Sequence, residues 1–262
     1  MFPLKDNIHR EHFPYVTIAL VALNVIVYLL SIRNGGSFFG GPADTVAVHY
    51  GAIPFELTHP ASHCDLVGGP FGGEGIACAG QPGIVGSPSP QPATWETAFT
   101  SMFLHGSFLH IFGNMLFLAI FGPSVEDSMG HVRYVGFYLL GGLVALAAQV
   151  AVGPDSTAPT LGASGAIAAV LGGYLVLYPR ARVLTLIFVV FFATILEIPA
   201  VLLLGFWFLE QLYLGSAGLA APVGEGGGVA YFAHIGGFLF GAAVIMALAR
   251  HRRVMPPRYP VY

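Results

Sequence analysis

"LGASGAIAAVLGG", residues 161–173, carries a single hydroxyl, Ser164, among glycines, alanines and branched apolar side chains. The run stays apolar to Tyr178. A charge-free stretch of this kind reads as a helix crossing a bilayer, which takes roughly 20 mostly apolar residues. The rest of the chain points the same way. Of its 262 residues 55% are hydrophobic and only 9% charged, where a soluble domain carries about 25% charged residues. Mean hydropathy is +0.75.

Six windows qualify as spans: 14–32, 102–122, 132–152, 161–179, 199–215 and 229–250. The fold class expected is therefore an all-α polytopic membrane protein, one membrane domain over residues 1–262. The hydrophobic region 183–215 is too long for one span, since its residues would reach roughly 50 Å as a helix. Its first part, "VLTLIFVVFFATIL", is β-branched and aromatic. It reads as a hairpin at the membrane interface, with Pro199 opening the fifth span. Residues 33–98 form a Gly- and Pro-rich insertion between the first two spans.

Lys and Arg set the orientation. Lys5, Arg10, Arg133, Arg180, Arg182, Arg250, Arg252, Arg253 and Arg258 share one side of a six-span layout, and only Arg33 falls opposite. Both termini are thus expected in the cytoplasm, and the insertion outside it, in the plasma membrane of a bacterium. The first span lacks a small-residue cleavage site and reads as a retained anchor. The net charge of −3 gives no sign of a nucleic-acid partner. No cofactor is expected, and the sequence assigns no oligomeric state.

Polar groups inside a membrane are costly and mark function. On the expected spans, Ser164 lies roughly 5 Å in from the outer end and His234 roughly 8 Å. His110, counted from an inner end at Gly122, lies roughly 12 Å below the outer surface. Asn114 is one turn further on the same helix face. A serine hydroxyl needs a base to become a nucleophile. Histidine is the usual one. Attack on a carbonyl makes an oxyanion that needs donors, and His110, the Asn114 amide and the Ser164 backbone N–H can supply them. No Asp or Glu stands at matching depth, so the set is a Ser–His dyad without a carboxylate. Gly165, Ala169 and Gly172 on the fourth span, and Ala233, Gly237 and Gly241 on the sixth, are spaced for close helix packing. Such a crossing would bring Ser164 to His234.

The segments "HGSFLHIFGNMLFLAIFGPSVED", "GASGAIAAVLGGY" and "AHIGGFLFG", in that order, resemble the rhomboid family of intramembrane serine proteases. The resemblance covers about residues 14–250, apart from most of the insertion. It implies a six-helix bundle with Ser164 as nucleophile and His234 as base. It further implies that His110 and Asn114 stabilise the oxyanion, that Gly237 and Gly241 serve packing, and that Glu126 is a structural acid at a turn. The implied activity is cleavage of single-span membrane proteins near their outer edge, so the partners are transmembrane substrates and the bilayer. Residues 216–228 and the outer half of the fifth span, Trp207 and Phe208, form the expected gate. A tyrosine that some members place four residues after the nucleophile is Ala168 here, which leaves the orienter of His234 unassigned. A Trp–Arg pair of some members is Trp95–Glu96 here.

Two other classes compete. One is a catalytically inactive rhomboid-like protein that binds membrane helices; it would be marked by loss of the serine or histidine, and both stand. The other is a channel or transporter, for which Glu210 and Gln211 are the best hint, though an interfacial role accounts for them. "GASGA" also approaches the nucleophile elbow of α/β-hydrolases, but no strand alternation surrounds it. In the insertion, Cys64 and Cys78 read first as a disulfide. His59 and His63 beside Cys64 leave zinc as an alternative, and two free thiols as a third. No metal site is assigned.

Overall fold

The computed structural model describes residues 2–33, 35–60, 62–68, 74–79, 81, 91–189, 192–220 and 229–249. The elements in chain order are β1 (Phe2–Asp6), α1 (Tyr15–Ser31), α2 (Asp44–Tyr50), α3 (Pro54–Thr58), β2 (Cys64–Gly68), β3 (Glu74–Cys78), α4 (Thr94–Thr100), α5 (Phe108–Met129), α6 (His131–Val152), α7 (Ser164–Leu177), β4 (Arg182–Val189), β5 (Phe192–Pro199), α8 (Ala200–Ala220) and α9 (Tyr231–Leu248). A 3₁₀ turn, Ser101–Phe103, separates α4 from α5.

Among the described residues, four helices are long and apolar enough to cross a membrane: α5, α6, α9 and residues 200–219 of α8. The shorter apolar helices α1 and α7 have 17 and 14 residues. At 1.5 Å per residue α7 reaches only about 21 Å, less than the roughly 30 Å hydrocarbon core. It can be short because it touches little else than protein. Every residue from Gly165 to Tyr174 is buried. Helices α5, α6, α8 and α9 all pack against it.

The second span is displaced from its expected bounds of 102–122. Residues 102–107 are not part of the helix. Ser107 ends the loop and its side chain accepts the His110 N–H at 3.2 Å, an N-cap. At the other end α5 runs through Pro123 to Met129. Its polar tail reads as loop in sequence, but the N-terminal segment satisfies it. Glu126, buried, accepts the N–H groups of Val16 and Thr17 at 2.9 and 2.8 Å and the Thr17 hydroxyl at 2.6 Å. It thereby caps α1, whose own N-cap residue, Pro14, offers no side-chain bond. Asp127 accepts from Glu11 and His12. Ser124 donates to Asp6 at 2.9 Å.

The expected hairpin is β4–β5, antiparallel from Arg182↔Pro199 to Val189↔Phe192. An unexpected strand joins it: β1 pairs with β4, Phe2 opposite Leu186 and Asp6 opposite Val183. Pro199 ends β5 rather than opening the helix, and α8 continues past Gly215 to Ala220. Residues 216–220 of the expected Gly-rich connection are therefore helical; residues 221–228 lie outside the described residues, as do Arg250, Arg252, Arg253 and Arg258.

Hydrogen bonds tie the insertion to the loop before α7, among them one from the Thr58 hydroxyl to the Pro154 carbonyl at 2.8 Å. Ala52 bridges Thr160, and the Phe55 N–H donates to the Ser156 carbonyl at 3.0 Å. Cys64 and Cys78 form a disulfide across the β2–β3 ladder. Val48, Ile53 and Phe55 pack around it.

Candidate active site

Three helices begin at one place. Ser164 is the first residue of α7, His234 the fourth of α9 and His110 the third of α5. The similar depth expected of these residues thus has a different origin. It comes from converging helix starts, not from His110 lying twelve residues above an inner end. The first N–H groups of a helix lack intrahelical partners and carry partial positive charge. Three such ends favour any negative charge that develops between them.

Small residues set the spacing. A Cβ on Gly237 would strike the Gly165 carbonyl, and one on Gly172 the Phe238 carbonyl. Gly165 itself faces α6 as well, with Ala145 Cβ 2.6 Å from where its own Cβ would stand. Backbones in this contact bring Ser164 Oγ to 2.8 Å from His234 Nε2. The other ring nitrogen, Nδ1, lies 2.7 Å from Gln211 Oε1 on α8. Trp207, one turn before Gln211, places its ring 5.8 Å from the imidazole at 36°. Tyr231 meets the ring edge-on at 6.5 Å.

Opposite the serine, Asn114 is buried and its Nδ2 has no hydrogen-bond partner among the described residues. His110 presses against Gly162: a Cβ there would stand 2.7 Å from His110 Nε2 and 3.5 Å from Asn114 Nδ2. Gly162 adopts φ +115°, a backbone that L side chains avoid. Its N–H is anchored on the Ser101 carbonyl at 2.8 Å. Glycine at 162 therefore keeps the space in front of the two donors open. A cavity of about 610 Å³ connects these groups, within the range of small-molecule sites. Its lining includes His110, Asn114, Ser164 and His234, together with Ser156, Pro159 and Val229.

The Rhomboid domain family model matches residues 92–251. This chain belongs to the rhomboid family. Rhomboid protein 1, mitochondrial, of Saccharomyces cerevisiae is 33% identical over 151 residues, which cover 54% of this chain and 38% of the yeast protein. RHOMBOID-like protein 5 of Arabidopsis thaliana is 32% identical over 74 residues, 28% of this chain and 24% of the plant protein. The matched part is thus less than half the length of either relative. Rhomboid membership and the apolar helices make this an integral, polytopic helical membrane protein.

The rhomboid motif of the second span holds a residue that sequence reasoning passed over. His105 is fully buried, and its ring meets His110 edge-on at 5.1 Å. Gln211 is the larger omission. An interfacial role was expected, yet it is buried at 5% exposure against the histidine. The available signal was a lone amide in an apolar helix, the kind of group that membranes retain for a purpose. Glu96, in place of the arginine of some rhomboids, accepts the Ala93 N–H at 3.2 Å and caps α4. In the insertion, His59 stacks on Phe55 at 4.0 Å. His63 Nδ1 is 4.0 Å from Glu56. With the cysteines joined, no group of three or more His, Cys, Asp or Glu among the described residues could hold a metal. Burial pushes the Glu56 carboxyl above its ordinary value, opposed by the Cys64 N–H that it accepts.

Proposed function

We propose that this rhomboid is an intramembrane serine endopeptidase that cleaves single-span membrane proteins near the outer face of the bilayer. The observation that carries the reading is the 2.8 Å approach of Ser164 Oγ to His234 Nε2 across the α7–α9 contact. Ser164 Oγ attacks the scissile carbonyl carbon as His234 Nε2 takes its proton. The oxyanion receives the Ser164 N–H and, across the cavity, the Asn114 amide and His110. His234 then returns the proton to the leaving amine, and water hydrolyses the acyl-enzyme by the same steps in reverse roles. No carboxylate takes part.

A helix in the bilayer hides its peptide carbonyls in hydrogen bonds. The substrate class is therefore a single helix with small or helix-weakening residues near the outer surface, able to unwind into the cavity. The distribution of Lys and Arg supports a layout with both termini on the cytoplasmic side and the insertion on the other. The test is incubation of the purified protein in detergent with a panel of single-span substrates. Cleavage by wild type, absent in Ser164→Ala and His234→Ala variants that keep their thermal stability, is the expected result. Binding without cleavage by wild type would favour the inactive, helix-binding class instead.

A further inference from the structure

We infer that Gln211 of α8 is the positioning residue of the base: it fixes the tautomer and ring plane of His234, the task a carboxylate performs in a Ser–His–Asp triad. This rests on the reading of Ser164 and His234 as nucleophile and base.

To accept the serine proton, Nε2 of a neutral imidazole must carry its lone pair, so Nδ1 must carry the hydrogen. That hydrogen needs an acceptor in a buried site, or the other tautomer is equally good. Gln211 Oε1, 2.7 Å from Nδ1, is that acceptor. The side chain is well placed to stay there. Ala200, Leu203, Leu204, Gln211 and Gly215 form the buried stripe of α8, spaced as one helix face. Val201, Leu202, Phe206, Leu209 and Tyr213 lie on the exposed faces. Trp207 precedes Gln211 by four residues and so shares its face, and its ring lies beside the imidazole. Phe208 stacks on Phe238 at 4.6 Å and 22°, holding α8 to α9 just below. One helix face thus supplies both the acceptor and the aromatic flank that Ala168 does not. Any movement of α8 away from α9 would withdraw the acceptor, so widening that seam and orienting the base are linked.

The chemistry separates this role from mere packing. Gln211→Met keeps length and volume but removes the acceptor. Gln211→Asn keeps the amide but draws it back by one methylene. Gln211→Glu keeps an oxygen acceptor in place. Purified variants are compared by kcat and KM on a single-span substrate, by the rate at which a fluorophosphonate labels Ser164, and by thermal unfolding. The Met and Asn variants should lose about 10- to 100-fold in kcat and in labelling rate, the scale on which loss of a partner that orients a metal-bound histidine acts. Their KM should stay within a factor of about two, because the base works only in the transition state. The Glu variant should recover most of the loss. Wild-type kcat in Gln211→Met overturns the inference, as does a loss of kcat that follows thermal stability in every variant. Should wild type itself resist labelling and match Ser164→Ala on every substrate, the protease reading fails first, and that outcome is distinct.

Discussion

A side chain on Gly241 of α9 would collide with the carbonyl oxygen of Ala169 on α7. The two helices meet backbone to backbone, one turn beyond the contact of Gly237 with the Gly165 carbonyl. Lipid tails are as apolar as helix faces, so close van der Waals packing rather than hydrophobicity holds such a pair. The same contact sets where Ser164 stands relative to His234.

Gly241→Ala should therefore destabilise the protein by about 1–3 kcal/mol, the range for overpacking a filled interior. It should also slow labelling of Ser164, because α9 must shift to make room. Gly136 on α6 is the control, since a Cβ there meets nothing within 4 Å. Gly136→Ala should be neutral or stabilising by up to about 1 kcal/mol, the difference in helix propensity. Thermal unfolding in detergent reads both. Equal melting of Gly241→Ala and wild type would mean that α7 and α9 do not touch in this way.

The central pair was legible because small-residue spacing and buried polar groups survive in any sequence that must pack helices in lipid. Helix ends were less so. Hydropathy gave span two as 102–122, but Ser107 caps the helix later through the His110 N–H three residues on, and Glu126 carries it further by holding Val16 and Thr17, which are distant in the chain. Strand β1 was missed because five residues, Phe2–Asp6, show too little periodicity. Only the hairpin β4–β5 gives them an edge to join. Gln211 was seen and undervalued, since its partner is His234 on another helix.

Asn114 offers a donor whose loss should be partial. Its Nδ2 is buried without a hydrogen-bond partner among the described residues, and Asn114 lines the same cavity as Ser164. Asn114→Ala leaves the Ser164 N–H and His110 in place. The expected cost is on the order of 10²–10³ in kcat, the value of one oxyanion donor, with KM little changed. Turnover and KM on one substrate, with melting as the folding control, decide it. Unchanged kcat with a raised KM would assign Asn114 to substrate binding.

On the opposite side of the molecule Asp6 should make stability depend on pH. Its carboxyl is buried and accepts from Arg10 at 2.7 Å, from Ser124 at 2.9 Å and from Tyr174 at 3.0 Å. Burial raises it above the ordinary value of 3.8, and that outweighs Arg10 and the hydroxyls, which pull it down. The folded state therefore holds this proton to higher pH than the unfolded chain does. By linkage its contribution is fully present below 3.8 and is lost as pH rises through the raised value. Asp6→Asn is neutral throughout and has no such loss. The stability of the Asn variant relative to wild type should thus improve as pH rises from 3.8 toward neutrality, by no more than about 1.4 kcal/mol per pH unit for one proton. Denaturant unfolding of both proteins in the same detergent, at a series of pH values, measures the gap. A variant that instead loses ground with rising pH would show that the ion pair with Arg10, and not burial, governs this carboxyl.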